Sequence, residues 1–439
     1  MPSVARRAPR WSELRPLVRV QAPSLRRTTA GLARASTIED LRMMARRRTP
    51  RSVFDYVDGA AETELSLQRS REAFARVEFR PRVLRDVRVV DPSVSLLGVT
   101  SALPVVLAPT GFTRMMHHEG ERAVARAAAA AGVPYTLSTM GTVSVEEVAA
   151  VEPPGPRWFQ LYLWQDRGRS LELIQRAGAA GYDTLVLTVD TAVAGRRLRD
   201  VRNGLTIPPA LTARTLADMA VHPRWWANLL TTEPLEFASL RDSGGTVAEL
   251  VDRMFDPGVT VTDLGWLREH WDGRIVVKGI QRGDDAREVV AAGADGLVVS
   301  NHGGRQLDRA VAPLEVLPEV LDEVGGRAAV LIDGGVTDGA DAVAAVALGA
   351  DAVMVGRAYL YGLMAGGEAG VARALQILTD QVTRTMRLLG VTALDQLGPD
   401  HVRLGPDHGR PAADHDRPAH GRPEAGTAPV RGGIPDPAR

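Results

Sequence analysis

Eight short apolar runs through the middle of the chain constrain its fold more than any other feature. They are VVLAPT (105–110), PYTLST (134–139), WFQLYL (158–163), TLVLTVD (184–190), IVVKGI (275–280), GLVVSN (296–301), AVLIDGG (329–335) and AVMVGR (352–357). Each is almost continuously apolar, the pattern of a strand buried on both faces. Alanine-rich helical segments separate most of them, such as GERAVARAAAAAG (120–132), RSLELIQRAGAAG (169–181) and DDAREVVAAGA (284–294). A glycine follows each of these helices, as a left-handed C-terminal cap requires. Eight strand–helix units predict an α/β fold, a (β/α)8 TIM barrel. The competing fold, an open doubly wound sheet, calls for a GxGxxG turn after an early strand, and none is there. Polar residues also close the runs, among them Ser138, Tyr162, Asp190, Lys278, Asn301, His302, Asp333 and Arg357. A closed barrel brings those ends to one mouth.

One connection breaks the rhythm. After the fourth run comes a long insertion, about residues 192–272, with GRRLRDVRNG (195–204), a proline-rich bend and ADMAVHPRWWANLL (217–230). Long insertions at a barrel mouth serve as lids or contact surfaces. Trp225, Trp226, Leu229 and Leu230 would suit a membrane surface or a partner. Packing back onto the barrel is the expectation for such residues.

The ends differ from the middle. Residues 1–36 are arginine-rich, hold Glu13 as their one acid, and lack the apolar core of a secretory signal. They are expected to be a disordered extension to a barrel domain spanning 37–404. Residues 405–439 are rich in proline, glycine and histidine, cannot offset their ordering entropy by burial, and are expected to be a disordered tail. Nothing rigid would set metal geometry for the tail histidines, so no metal site is expected.

Composition excludes several functions. With no cysteine there is no disulfide, thiolate nucleophile or cysteine-ligated cluster. A formal net charge of zero provides no global field toward nucleic acid. No stretch reaches the length of a membrane-spanning helix. A cytoplasmic protein is expected, with peripheral contact at the inner membrane face as the variation.

The chemistry concentrates at the run ends. SNHGGRQLD (300–308) follows the sixth strand. Unlike His117, His118, His222 and His270, His302 sits directly at a strand end between small and polar neighbours, which makes it the candidate base. DGG (333–335) and GR (356–357) follow strands 7 and 8, the usual phosphate site of a barrel, where backbone N–H groups and Arg357 suit an anion. Lys278, inside IVVKGI, is the only lysine among 53 basic residues. It supplies a compact ammonium where a guanidinium would need more room.

Together these motifs resemble the FMN-dependent α-hydroxy acid dehydrogenases and oxidases. SNHGGRQLD looks like the family signature. FDYVDGAAE (54–62), APTGF (108–112), TLSTMGT (136–142), QLY (160–162), LTVDT (187–191), GRRLRD (195–200), VKG, DGGV and GR recur in family order. The likeness is greatest to the actinobacterial quinone-linked L-lactate dehydrogenases. The resemblance implies FMN as cofactor and oxidation of an L-2-hydroxy acid, with L-lactate favoured and a quinone or similar acceptor. It assigns the base to His302, stabilisation of its charged form to Asp190, and the substrate carboxylate to Arg197 and Arg305. Tyr56 and Tyr162 offer hydroxyls to the substrate. Ser138, Gln160, Thr188, Lys278 and Ser300 contact the flavin, and the backbone of Pro109, Thr110 and Gly111 lines its ring. Asp333, Gly335, Gly356 and Arg357 hold the ribityl and phosphate end. A homo-oligomer, commonly a tetramer, is implied as well.

Three positions qualify that reading. Thr337 stands where much of the family carries an arginine after DGGV. Met140 replaces a frequent aromatic residue in the substrate pocket, and suits a small aliphatic side chain but adapts to larger ones. Gly111 goes with dehydrogenases, alanine there with oxidases. An oxygen-using oxidase or monooxygenase is the near alternative. A non-redox isomerase on an FMN barrel should not need both Arg197 and Arg305 beside His302, and a non-catalytic flavin protein should lack one of these groups.

Overall fold

The computed structural model describes residues 27–205, 213–240 and 254–405. The first 26 residues, the proline-rich bend and the tail from residue 406 lie outside them.

All eight apolar runs form strands. They are β1 (Val105–Leu107), β2 (Tyr135–Ser138), β3 (Arg157–Leu161), β4 (Thr184–Thr188), β5 (Arg274–Ile280), β6 (Gly296–Val299), β7 (Ala329–Ile332) and β8 (Ala352–Val355). They pair in parallel as one closed barrel, and β8 returns to β1 in the register Val353↔Val105, Met354↔Val106 and Val355↔Leu107. Strand side chains alternate between faces. Val106, Trp158, Val186, Val276, Val298, Leu331 and Met354 fill the barrel interior. Their neighbours Leu107, Leu137, Phe159, Leu185 and Val277 belong to the layer beneath the helices. A hairpin of Val94–Leu96 and Val99–Ser101 buries Leu96 against the interior cluster and sets Leu97 on Gly296, so it covers the amino end of the barrel.

Most ladders stop short of the expected polar ends: β4 at Thr188, β6 at Val299 and β7 at Ile332. Asp190, Ser300, Asn301, His302 and Asp333 therefore belong to loops turning over the open mouth. The helix caps behave as the sequence requires. Gly132, at φ +68°, caps helix Gly120–Ala131, and Gly181 and Gly293 take left-handed angles just past the helices Arg167–Ala179 and Gly283–Ala291.

Four helices precede the barrel: α1 (Arg27–Arg34), α2 (Ile38–Arg48), α3 (Arg51–Asp58) and α4 (Leu65–Ala75). The first lies where a disordered extension was expected. Leu32 and Ala35 are buried, and the Ala35 carbonyl accepts from Arg373 Nε and Nη2 at 3.0 and 2.7 Å on the C-terminal helix Arg357–Leu389. Helical structure thus begins before residue 37: buried Leu32 in this eight-residue helix and Ala35 just past it dock the segment on the C-terminal helix. Asp58 ties these helices to the rest. It accepts from Arg42 Nε at 2.6 Å, Arg199 Nη1 at 3.0 Å and the Tyr361 hydroxyl at 2.8 Å. Burial pushes its carboxyl up, but Arg42, Tyr361 and Arg199 outweigh burial and hold it at about 2.

The insertion packs back on one face only. Helix Pro223–Leu230 half-buries Trp225, whose Nε1 donates to the Met115 carbonyl at 2.9 Å, and half-buries Leu229 one turn on. Trp226 and Leu230, also one turn apart, are 40% and 74% exposed. Among the described residues, no helix is long and apolar enough to cross a membrane.

Candidate active site

The mouth is built around a bulge and a left-handed turn. Between Lys278 and Ile280 the ladder slips register, with Gly279 at φ +117°. A Cβ on Gly279 would sit 2.8 Å from Asp190 Cβ, so only glycine lets that carboxylate approach. After β6, His302, Gly303 and Gly304 take φ +58°, +61° and +74° in succession. A histidine in this region is strained and is held there by its surroundings. Asn301 does the holding. Its Oδ1 accepts from Gly304 N at 3.1 Å, and its Nδ2 donates to Ser70 Oγ at 3.0 Å and the Val311 carbonyl at 3.2 Å. The turn brings His302 Nδ1 to 2.9 Å from Asp190 Oδ1. Burial pushes the Asp190 carboxyl up, but the charge and hydrogen bond of His302, with Lys278, outweigh it and hold it below the usual range. A carboxylate only accepts, so Nδ1 carries the proton and Nε2 presents its lone pair.

The end of the signature is structural. Gln306 Oε1 accepts from Gly195 N at 2.9 Å while its Nε2 donates to the Asp190 carbonyl at 3.0 Å. Asp308 accepts from Thr63 N and Ser66 N, both at 3.0 Å, and so holds the start of α4.

Two guanidiniums face the pair. Arg305 Nη1 donates to the carbonyls of Tyr56 and Gly59 at 2.7 and 3.0 Å. Arg197 Nε donates to Asp200 Oδ2 at 2.6 Å. Both stand over the Tyr56 ring, at 5.1 and 5.4 Å from its centre. Burial, with Arg197 nearby, pulls the Arg305 guanidinium down to about 10. Such a cationic, dehydrated pocket favours a planar anion. The Tyr162 phenol is buried and pushed above its ordinary value by that burial, with Asp190 adding to the effect.

The floor carries polar atoms without partners. Ser138 Oγ donates to Gln160 Oε1 at 3.0 Å, which orients the amide and leaves Gln160 Nε2 buried and unbonded. Thr188 Oγ1 and Asp333 Oδ1 are likewise buried and unbonded. Lys278, 4% exposed, donates to Ser300 Oγ at 2.8 Å and pairs with Asp333 Oδ2 at 2.8 Å. Burial works against the ammonium, but Asp333 and Asp190 outweigh it and lift its pKa above the ordinary value. Ser300, expected at the cofactor, is fully buried and also accepts from His302 N at 3.0 Å, so its oxygen couples lysine to histidine. Thr110 spends its hydroxyl on Tyr359 at 2.6 Å, leaving its backbone, with half-buried Pro109 and Gly111, along the mouth.

Glycine also shapes the remaining space. Gly334 and Gly335 take φ +84° and +97° with Asn301 and Ser70 packed where a Cβ would stand, while a Cβ on Gly356 would meet nothing nearer than Thr110 Cγ2 at 3.8 Å. Arg357, beside them, gives three donors to the carbonyls of Val57, Gly303 and Gly59 at 2.9, 2.9 and 2.8 Å, leaving two free. Buried orphan donors and acceptors, an open glycine cradle and a cationic end fit a flat heteroaromatic group with an anionic tail.

One wall was not foreseen. Phe237, Met254 and Phe255 come from the insertion and pack with Tyr162 and Trp164, with Met140 and Phe112 alongside. The Phe112 and Phe237 rings lie 4.1 Å apart, and Phe255 meets Tyr162 edge-on at 5.2 Å. Isolated apolar residues in an irregular segment give no periodic signal, so only a fold could find them. A cavity of about 310 Å³ lies behind Tyr162, lined by Leu187, Val277, Met254, Phe255 and Val289, and His302 does not reach it.

Residues 45–404 match the family described as FMN-dependent dehydrogenase. A Mycobacterium tuberculosis protein named "Putative L-lactate dehydrogenase" is 56% identical over 91% of this chain and 97% of its own length. An L-lactate dehydrogenase of Caulobacter vibrioides is 46% identical over 81% of this chain and 94% of its own. Among solved structures, a monotopic membrane protein, (S)-mandelate dehydrogenase, superposes with a TM-score of 0.81 at 38% identity, covering 84% of this chain and all of the other. A mandelate oxidase does so with 0.73 at 40% identity, covering 84% and 99%.

Proposed function

The chain belongs to the FMN-dependent dehydrogenase family, and we propose that it oxidises L-lactate to the 2-keto acid and passes the electrons to a quinone. One observation carries this reading: a histidine–carboxylate pair 2.9 Å apart and two arginines over the Tyr56 ring gather around the buried Tyr162 phenol at the barrel mouth.

FMN, when bound, supplies the two-electron sink. The protein's side chains do the rest. Arg305 and Arg197 hold the planar substrate carboxylate, a geometry that suits forked guanidiniums. Tyr56 and Tyr162 direct the 2-hydroxyl toward His302. His302 Nε2 takes a proton from the substrate, and Asp190 stabilises the resulting imidazolium, whose second N–H it already accepts. Gln160 Nε2, Thr188 and Lys278 would hold the edge of the flavin ring. The backbone of Thr110 and Gly111 would line the ring, with Ser138 fixing Gln160. Asp333, Gly335, Gly356 and Arg357 would hold the ribityl and phosphate end.

Met140 beside the Phe112–Phe237 pair supports an apolar substrate side chain such as that of lactate: the wall offers no partner to a polar one. Gly111 supports the dehydrogenase over the oxidase only through the family resemblance; separately, the packing here holds the position to glycine, since an added Cβ would fall 2.9 Å from Met140 Cβ. In an anaerobic stopped-flow screen, L-lactate is expected to bleach the flavin fastest among 2-hydroxy acids. The reduced protein should then be reoxidised quickly by a quinone analogue and slowly by oxygen. Rapid oxygen reoxidation would establish the oxidase instead.

A peripheral membrane contact is supported by Trp226 and Leu230, exposed on one face of a helix anchored by Trp225. The wild type should float with anionic vesicles, and Trp226→Ser/Leu230→Ser should reduce that binding about tenfold while leaving lactate-dependent bleaching intact. Equal flotation of both proteins would refute the contact.

A further inference from the structure

Thr337, which stands where the resemblance places an arginine, donates from N and Oγ1 to Asp341 at 2.7 and 3.1 Å and serves the start of helix Gly339–Ala347, so this position offers an anion no guanidinium. Arg357 has committed three donors to carbonyls. A second cation stands nearby on a different element. Leu67, Arg71 and Phe74 occupy positions i, i+4 and i+7 of α4 and share one stripe of the helix. The Leu67 end lies against Gly304, whose added Cβ would fall 2.7 Å from Leu67 N. The Phe74 end lies against Gly335, whose added Cβ would fall 3.0 Å from Phe74 Cδ2 and 2.4 Å from Ser70 O. Arg71, between them, therefore lies over the gap between the SNHGG and DGG loops, where Arg357 approaches Gly303.

Arg71 is half-buried, and among the described residues it has no hydrogen bond and no carboxylate partner. The acids nearest Arg357, Asp58 and Glu64, are already engaged by Arg42 and Arg199. Burial lowers the Arg357 guanidinium, and the charge of Arg71 adds to that, so the two cations sense each other directly. Two neighbouring guanidiniums without an acid between them favour an anion there. We infer that Arg71 is the second guanidinium for the FMN phosphate, reached from the pre-barrel helix rather than from position 337. The assignment rests on FMN binding by this barrel.

The test strips FMN from the holoenzyme and titrates the apoprotein with FMN and, separately, with riboflavin, which lacks the phosphate. Arg71→Gln should weaken FMN binding roughly 10- to 100-fold, the loss of one charge-assisted contact, with riboflavin affinity unchanged. Adding Thr337→Arg to that variant should return FMN affinity to within a few-fold of wild type. Arg71→Lys, a milder change should the glutamine variant misfold, should show a smaller loss with the same FMN-over-riboflavin selectivity. Equal loss for both flavins, or no loss for either, overturns the assignment. A wild-type apoprotein that takes up neither flavin overturns the cofactor reading beneath it.

Discussion

His302→Ala is expected to retain its yellow colour and to lose lactate-dependent bleaching by about 10²- to 10⁴-fold, the usual contribution of a positioned base. The fold should survive. The alanine inherits φ +58°, a strain the histidine already bears, and Asn301 still holds the turn through Ser70 and Val311. The shape of the pH–rate profile separates this role from a structural one: removing a proton acceptor should change that shape, whereas a structural loss should only lower it. Asp190 does not create a limb of its own near neutrality. Its carboxyl is held below the ordinary range, so it stays ionised until the solution is more acidic than an ordinary carboxylate needs. Undiminished bleaching in His302→Ala would refute the assignment.

Lys278→Arg should cost flavin reduction about 10²- to 10³-fold although the charge is kept, the range expected when a fixed donor to developing negative charge is lost. The site explains the asymmetry. The ammonium is 4% exposed, and two of its three donors already go to Ser300 and Asp333. One donor is left for the flavin edge. A guanidinium needs volume that a buried floor lacks, and overpacking of this kind costs about 1–3 kcal/mol. It would also displace Ser300, whose oxygen accepts from His302 N, so the damage would reach the base. Stopped-flow bleaching and the flavin midpoint potential measure the loss. A variant that reduces at the wild-type rate would show that charge alone suffices.

The barrel was legible because strands buried on both faces leave continuous apolar runs, and eight of them in order admit few folds. His302 was legible because it closes such a run in a glycine-rich setting. Other features leave no trace in a linear sequence. The Lys278–Asp333 pair joins β5 to the end of β7, and from sequence each residue could only be assigned separately to the flavin. Ser300 is assigned to the cofactor by the resemblance; that its oxygen also accepts from Lys278 and from His302 N leaves no mark in the sequence. The wall of Phe237, Met254 and Phe255 comes from an insertion with no period to read. Helix α1 was hidden by composition, since arginine content says nothing about whether one face carries a leucine and an alanine to bury.

Arg305 and Arg357 both donate to the end of α3 and the turn that leaves it, and share the Gly59 carbonyl: Arg305 to Tyr56 and Gly59, Arg357 to Val57 and Gly59. A single stretch of main chain thus latches both guanidiniums, and with them the helices ahead of the barrel. Any ligand that orders those side chains raises the free energy of unlatching, by about 2.7 kcal/mol at a free concentration one hundred times Kd. Flavin loading and the integrity of helices α1 to α4 are then coupled, and in a cell short of flavin those helices are where a protease would find the unloaded molecules.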